Sequence, residues 1–125
     1  MLMTPPPRII NCTPHPVHYY VDGCRLYTFP ESSAPARVKI HRRPLTAITA
    51  DSVTVQVNTN WFDEVGENIP AQEDGTWYIV SGVVASAFPD RQDFLVPDES
   101  IIENRKVIGC QSFHLPMRTG KPDSR

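Results

Sequence analysis

Leucine and glycine are scarce in this chain. It has 5 leucines and 6 glycines against 21 valines and isoleucines. A surplus of β-branched residues argues for sheet and against a helix bundle. Cysteine is sparse as well: Cys12, Cys24 and Cys110 are an odd number with no CxxC spacing, which argues against a disulfide framework. No apolar run approaches the roughly 18 residues of a membrane helix, and the N-terminus has no apolar leader core. These absences predict a reduced, soluble, cytoplasmic protein with no membrane partner. Charge of one sign is also lacking. Twelve Lys and Arg face 14 Asp and Glu, a net charge of −2, so nothing global attracts nucleic acid. GxSxG, P-loop and HExxH patterns do not occur, leaving no local catalytic signature.

Proline is what the chain does have. Its 13 prolines are about twice average usage, as expected for many loops and few long helices. A chain of 125 residues suits one domain and can bury roughly two-thirds of its unfolded surface. The reading is a loose N-terminal segment over 1–7, one domain over 8–113, and a disordered tail over 114–125. Short strands are expected at Arg8–Cys12, Val17–Val21, Cys24–Phe29, Ala36–Ile40 and Val53–Val57. Asp22-Gly23 is the strongest hairpin signal, a type I′ turn. Another turn falls at Asn104-Arg105, closing a last hairpin. Asn58 to Gly75 reads as a long polar loop, a lid or a partner-binding flap. The fold class is α+β: a curved, mainly antiparallel sheet of six to eight short strands with one short helix packed on it.

The centre of the chain is Trp77 to Pro97, WYIVSGVVASAFPDRQDFLVP. Trp77 to Val80 reads as a buried strand. Ser81 can cap a helix through its hydroxyl. Val83, Val84, Ala87 and Phe88 follow at helical spacing until Pro89 stops the helix. Phe94 to Val96 resumes as a strand that ends at Pro97. The two strands are either parallel neighbours, or the second lies at a sheet edge.

Three ordered blocks, Ile10 to Val17, Tyr78 to Asp93 and Ile108 to Phe113, bracket nearly the whole domain. With their INCTPHPV, YIVSGVVASAFPDRQD and IGCQSF sequences the chain resembles a family of small phage- and bacteria-encoded accessory proteins, mostly uncharacterised. The resemblance implies an accessory role, such as capture of a nucleotide signal, and carries over no binding residue.

The residues themselves suggest several sites. In PDRQD, Arg91 is expected to be held by Asp90 or Asp93 and presented to an anion, or else simply to form a solvated pair with them. Arg37 opens a basic run with Lys39, His41, Arg42 and Arg43, read as a solvated strand face or an anion contact. Trp61, with Phe62 and Trp77, could stack a base. His15 is expected to hydrogen-bond within the Thr13-Pro14-His15-Pro16 turn and pin it, in preference to acid–base work. Cys12, His15 and His18 have zinc-like residue types at the wrong spacing for a finger, so no metal and no cofactor is expected. Cys110 reads as a buried thiol. The leading functional reading is a non-enzymatic accessory protein that captures a small anionic ligand, possibly a nucleotide, in a homo-oligomer. The alternative is a structural or interaction domain without a small ligand, and a hydrolase built on His15 and Asp90 comes third.

Overall fold

The computed structural model describes residues 6–116 and 120. Its strands are β1 (Arg8–Asn11), β2 (Val17–Val21), β3 (Cys24–Phe29), β4 (Ile40–Ala50), β5 (Val53–Phe62), β6 (Thr76–Ile79), β7 (Phe94–Glu103) and β8 (Lys106–His114). One helix, α1 (Gly82–Ala87), lies between β6 and β7. Six strands form a curved, nearly closed sheet in the order β1-β6-β7-β8-β2-β3. The other two, β4 and β5, pair only with each other. No helix of the described residues is long and apolar enough to cross a membrane.

Turn chemistry accounts for the three hairpins. Asp22 and Gly23 both take positive φ, 51° and 79°, the left-handed pair that a type I′ turn requires. Asn104 and Arg105 do the same between β7 and β8, at 51° and 65°. Asp51 and Ser52 repeat it between β4 and β5, at 50° and 64°. This third turn has no glycine, so it carries no strong signal in the sequence.

The central stretch forms a short parallel crossover. Tyr78 pairs with Phe94 and Ile79 with Leu95 in parallel. Ser81 caps α1, its Oγ accepting from the Val84 amide at 3.2 Å. The helix lays Val84 and Ala85 into the core, where they meet Tyr78, Val80, Phe94, Val96 and Ala36. Trp77 departs from the expected buried strand. It is 38% exposed, because the strand alternation that buries Tyr78 turns its neighbour outward.

Pairing differs from the expected mainly antiparallel sheet. By ladder length antiparallel pairing prevails, owing to β2–β3, β4–β5 and β7–β8. By adjacency the six-stranded sheet is mixed, with β1–β6, β6–β7 and β2–β8 parallel. Pro97 does not end its strand, and β7 continues to Glu103. Proline is tolerated where a strand has a free side, and β6 stops opposite Leu95.

The chain from Ile40 to Phe62 departs furthest from expectation. A strand was expected to end at Ile40, where β4 in fact begins, and β5 runs past Val57 to Phe62. Together they make a long ribbon in which no residue is buried. What remains of the expected flap, 63–75, is tied down. Arg37 and Glu67 exchange backbone hydrogen bonds at 2.9 and 2.8 Å. Asn68 Nδ2 donates to Pro35 O at 3.2 Å, and Tyr78 Oη donates to Ala71 O at 2.9 Å. Gly66 fits under this bridge because a Cβ there would lie 2.9 Å from the Arg37 carbonyl oxygen.

At the C-terminal side, β8 runs to His114, and Pro116 is buried. The rest of the expected tail, 117–119 and 121–125, lies outside the described residues, as do residues 1–5 of the expected loose N-terminal segment.

Asn11 holds the two ends of the sheet together. It is 6% exposed and stands at the end of β1, one outer strand. Its Nδ2 donates to Phe29 O at 3.1 Å, at the end of β3, the other outer strand, and to His15 O at 2.9 Å. Its Oδ1 accepts from the Thr13 amide at 2.9 Å, and the Thr13 hydroxyl lies 2.7 Å away. The Thr13–Pro16 turn is therefore pinned by Asn11. His15 takes part through its carbonyl, which also lies 2.9 Å from the Thr13 hydroxyl, while its ring is exposed. Asn11→Ala should strand several part-buried polar groups at about 1–3 kcal/mol each. The expected result of thermal unfolding is a drop in Tm of roughly 10 °C or more, with Asn11→Asp no better because it cannot donate. A shift of only a degree or two would show that the sheet closes without this amide.

Candidate functional site

Strand alternation and loop geometry distribute the expected site residues over four places. Arg91 and Asp93 form one unit. The Arg91 Nε and Nη2 donate to the two carboxylate oxygens of Asp93, both at 2.8 Å, and the guanidinium carbon lies 4.2 Å from the centre of the Phe94 ring. Both side chains are largely buried, at 20% and 8% exposure. The hydrogen bond to Asp93 pushes the Arg91 pKa up, against a smaller opposing effect of burial. The planar fork that could have met an anion is thus spent on Asp93. Asp90 is exposed and forms no ion pair among the described residues.

Arg37 lines a first cleft of about 620 Å³. This cleft lies between the Thr13-Pro14 turn, the chain leading into β4, the 63–67 loop and α1. Lys39 shares it. Neither cation makes a side-chain ion pair among the described residues. Val65, Val83 and Val84 supply apolar wall, and Asp63 and Glu67 lie on the loop side. No aromatic residue lines it.

His15 lines a second cleft, of about 720 Å³, on the other side of the turn. His18, Tyr20, Arg25, Glu103 and Cys110 join it there. His18 Nδ1 is 2.7 Å from Thr28 Oγ1. The Tyr20 ring packs closely against Gly109 in the cleft wall. A Cβ on Gly109 would strike that ring and would come within 2.7 Å of the His18 carbonyl oxygen.

Trp61 belongs to neither cleft. It sits at the base of the ribbon, stacked on His41 with ring centres 5.3 Å apart and planes 19° apart. The Arg43 guanidinium lies 5.9 Å from its centre. His41 Nε2 is bonded to Asp63 Oδ1, which fixes the ring on the tryptophan. The basic run is therefore not one solvated face. His41 and Arg43 share the Trp61 face, while Arg42 points the other way, its Nε 3.3 Å from Asn60 Oδ1.

Several groups that could act as nucleophiles are otherwise engaged or held protonated. Ser81 Oγ is occupied as the helix cap. Burial pushes the Cys110 and Cys12 thiols up, which lowers their thiolate fraction and their nucleophilicity at neutral pH. The His41–Asp63 pair has the form of a base and its orienting carboxylate, but no hydroxyl or thiol bonds to it among the described residues. No group of three or more His, Cys, Asp or Glu among the described residues could hold a metal ion.

Sequence reasoning missed Lys39 as Arg37's neighbour in a cleft, the His41–Trp61–Arg43 stack and the role of Asn11. The stack had a readable signal, since alternation from Ile40 puts His41 and Arg43 on one face. Asn11 had none, because its partner Phe29 lies across the whole sheet.

Arg91→Ala should leave the Asp93 carboxylate in a largely buried position without its partner. We expect a cost of about 3 kcal/mol, the order seen when one member of a buried pair is removed. Arg91→Lys should recover only part of this, because an ammonium cannot bridge both carboxylate oxygens. Urea unfolding of both variants checks it, and full stability in Arg91→Ala would return Arg91 to a binding role. Comparison with known proteins finds no matching family model, no matching curated protein and no matching solved structure, so the function rests on the geometry of the clefts and the ribbon.

Proposed function

We propose that this chain is a non-enzymatic interaction domain that works through the β4–β5 ribbon. One observation carries the reading. The ribbon stands apart from the six-stranded sheet and exposes Ile48, Val53 and Val55 at 52–58%. An isolated two-stranded ribbon is marginal in water, and a contiguous exposed apolar surface on a small domain marks a contact site. Catalysis has less support, since Ser81 Oγ is engaged as the helix cap, burial raises the Cys12 and Cys110 thiols, and the exposed Cys24 has no hydrogen-bonded base beside it among the described residues. The accessory role that the family resemblance implies fits an interaction domain equally well.

Replacing residues 45–57 by a two-residue turn tests this reading. The expected product melts cooperatively within a few degrees of the full chain, because none of the removed residues is buried. The full chain is expected to bind an apolar dye, and the shortened chain to lose that binding. Loss of folding would make the ribbon a structural element and end the proposal.

A second reading is favoured by Arg37 and Lys39, two cations in one apolar-walled cleft with no side-chain ion pair among the described residues. A small anionic ligand would be held there by its charge, and a nucleotide by its phosphates, since no aromatic residue is present to stack a base. Calorimetry against mono-, di- and cyclic nucleotides and inorganic phosphate checks it. Arg37→Ala should weaken any binding at least tenfold, about 1.4 kcal/mol, with unchanged Tm. A wild-type protein that binds none of the panel leaves the interaction reading alone.

A further inference from the structure

The β4–β5 ladder sorts its side chains into two unlike faces. Residues directly opposite in an antiparallel pair share a face. Ala50 pairs with Val53, Ile48 with Val55 and Thr46 with Val57, and below the bulge Arg43 pairs with Thr59 and His41 with Trp61. These rungs alternate onto one face, apolar from the tip almost to the base. Ala47 with Gln56 and Thr49 with Thr54 occupy the other, where the two threonine hydroxyls lie 2.9 Å apart. Between Leu45 and Asn60 the only charged residue is Asp51, in the turn.

We propose that this apolar face pairs with the same face of a second copy, the two ribbons lying antiparallel about a two-fold axis near the Thr46–Val57 and Ile48–Val55 rungs. The proposal rests on the reading of the ribbon as the contact element and names its partner. Charge selects the second copy and its orientation. The face has no charge in its middle, so two copies meet there without repulsion. In the antiparallel arrangement Asp51 at each tip arrives beside Arg43 at the other copy's base. In the parallel arrangement Asp51 would meet Asp51 and Arg43 would meet Arg43. A β-branched row also packs readily on its own kind, two sheet faces stacking about 10 Å apart.

Size sets the strength. From Trp61 to Val53 the ribbon face is about 27 Å long and about 10 Å wide. Its footprint of about 300 Å² falls well short of the roughly 800 Å² per partner of a standard stable interface. The pair is therefore a reversible dimer with micromolar or weaker affinity, visible only as concentration rises.

Sedimentation equilibrium of the full chain from micromolar to near-millimolar concentration tests it. Wild type should pass from monomer to dimer and no further. Val55→Lys, an exposed substitution on the apolar face, should raise the dissociation constant at least tenfold, and Thr54→Lys on the opposite face should leave it unchanged. Asp51→Asn, which keeps a residue suited to positive φ, should weaken the dimer several-fold. Strengthening by Asp51→Asn would overturn the antiparallel arrangement. Equal effects of Val55→Lys and Thr54→Lys would overturn the face. A wild type that stays monomeric throughout would overturn self-pairing and leave the ribbon to a different protein. Folding of the ribbon-shortened chain would stand in each case.

Discussion

The side-chain amide of Asn11 closes the sheet and pins the turn that both clefts share. The sheet order places β1 and β3 at opposite ends, and no ladder joins them. Asn11 reaches from one to the other and turns an open sheet into a nearly closed one. Buried amides are stabilising when all their groups are satisfied and costly otherwise. Here both the donor and the acceptor ends are used. The backbone reinforces the closure nearby, with Ser32 N donating to Thr13 O and Ala36 N to Cys12 O. Both clefts border the turn that Asn11 pins, one beside Thr13 and Pro14 and the other beside His15 and Pro16. Their shapes thus depend on the same four-residue turn.

A second tension runs between the body and the ribbon. The core is small, built from Tyr78, Val80, Val84, Phe94, Val96 and a few neighbours, and all of it lies in the six-stranded sheet, the helix and the connecting chain. The ribbon adds nothing to it. Its order comes from its own ladder, from the Trp61 stack at its base, and from the tie between Asp63 N and Lys39 O at 3.0 Å. None of its residues is buried, and a two-stranded element of this kind is marginal by itself. Arg91 and Asp93 show the opposite balance. They satisfy each other inside the body, beneath the Phe94 ring, and present little to the outside.

Much of the local structure was legible in the residues. Asp22-Gly23 and Asn104-Arg105 turn where they should, Ser81 caps, and Pro89 follows the end of α1. The strand at β4 was hidden for two physical reasons. Its first half is basic, which masks the alternation, and Pro44 inside it reads as a break. The ladder admits the proline by slipping register between Pro44 and Thr46, as bulges permit. The Asp51-Ser52 turn lacks the glycine that would have announced the hairpin. Of the six residues singled out for binding, Arg37, Trp61, His15 and the Arg91–Asp93 unit fall in four separate places, because side chains far apart in sequence converge only where the strand order brings them.

Features that act within a few residues could be read from the chain alone: turn dihedrals, a helix cap, a proline stop and the face alternation of each strand. These follow from steric limits and hydrogen bonds that close inside one turn or one rung. Long-range packing sets the rest: β1 beside β6, Asn11 against Phe29 across the sheet, the Arg91 fork on a buried Asp93, and β4 and β5 outside the six-stranded sheet. Those outcomes turn on competition among many possible strand neighbours for the same backbone groups and the same small core. The ribbon strands spend their inner backbone groups on each other, and the core closes around Tyr78, Val84 and Phe94 without any buried residue from them.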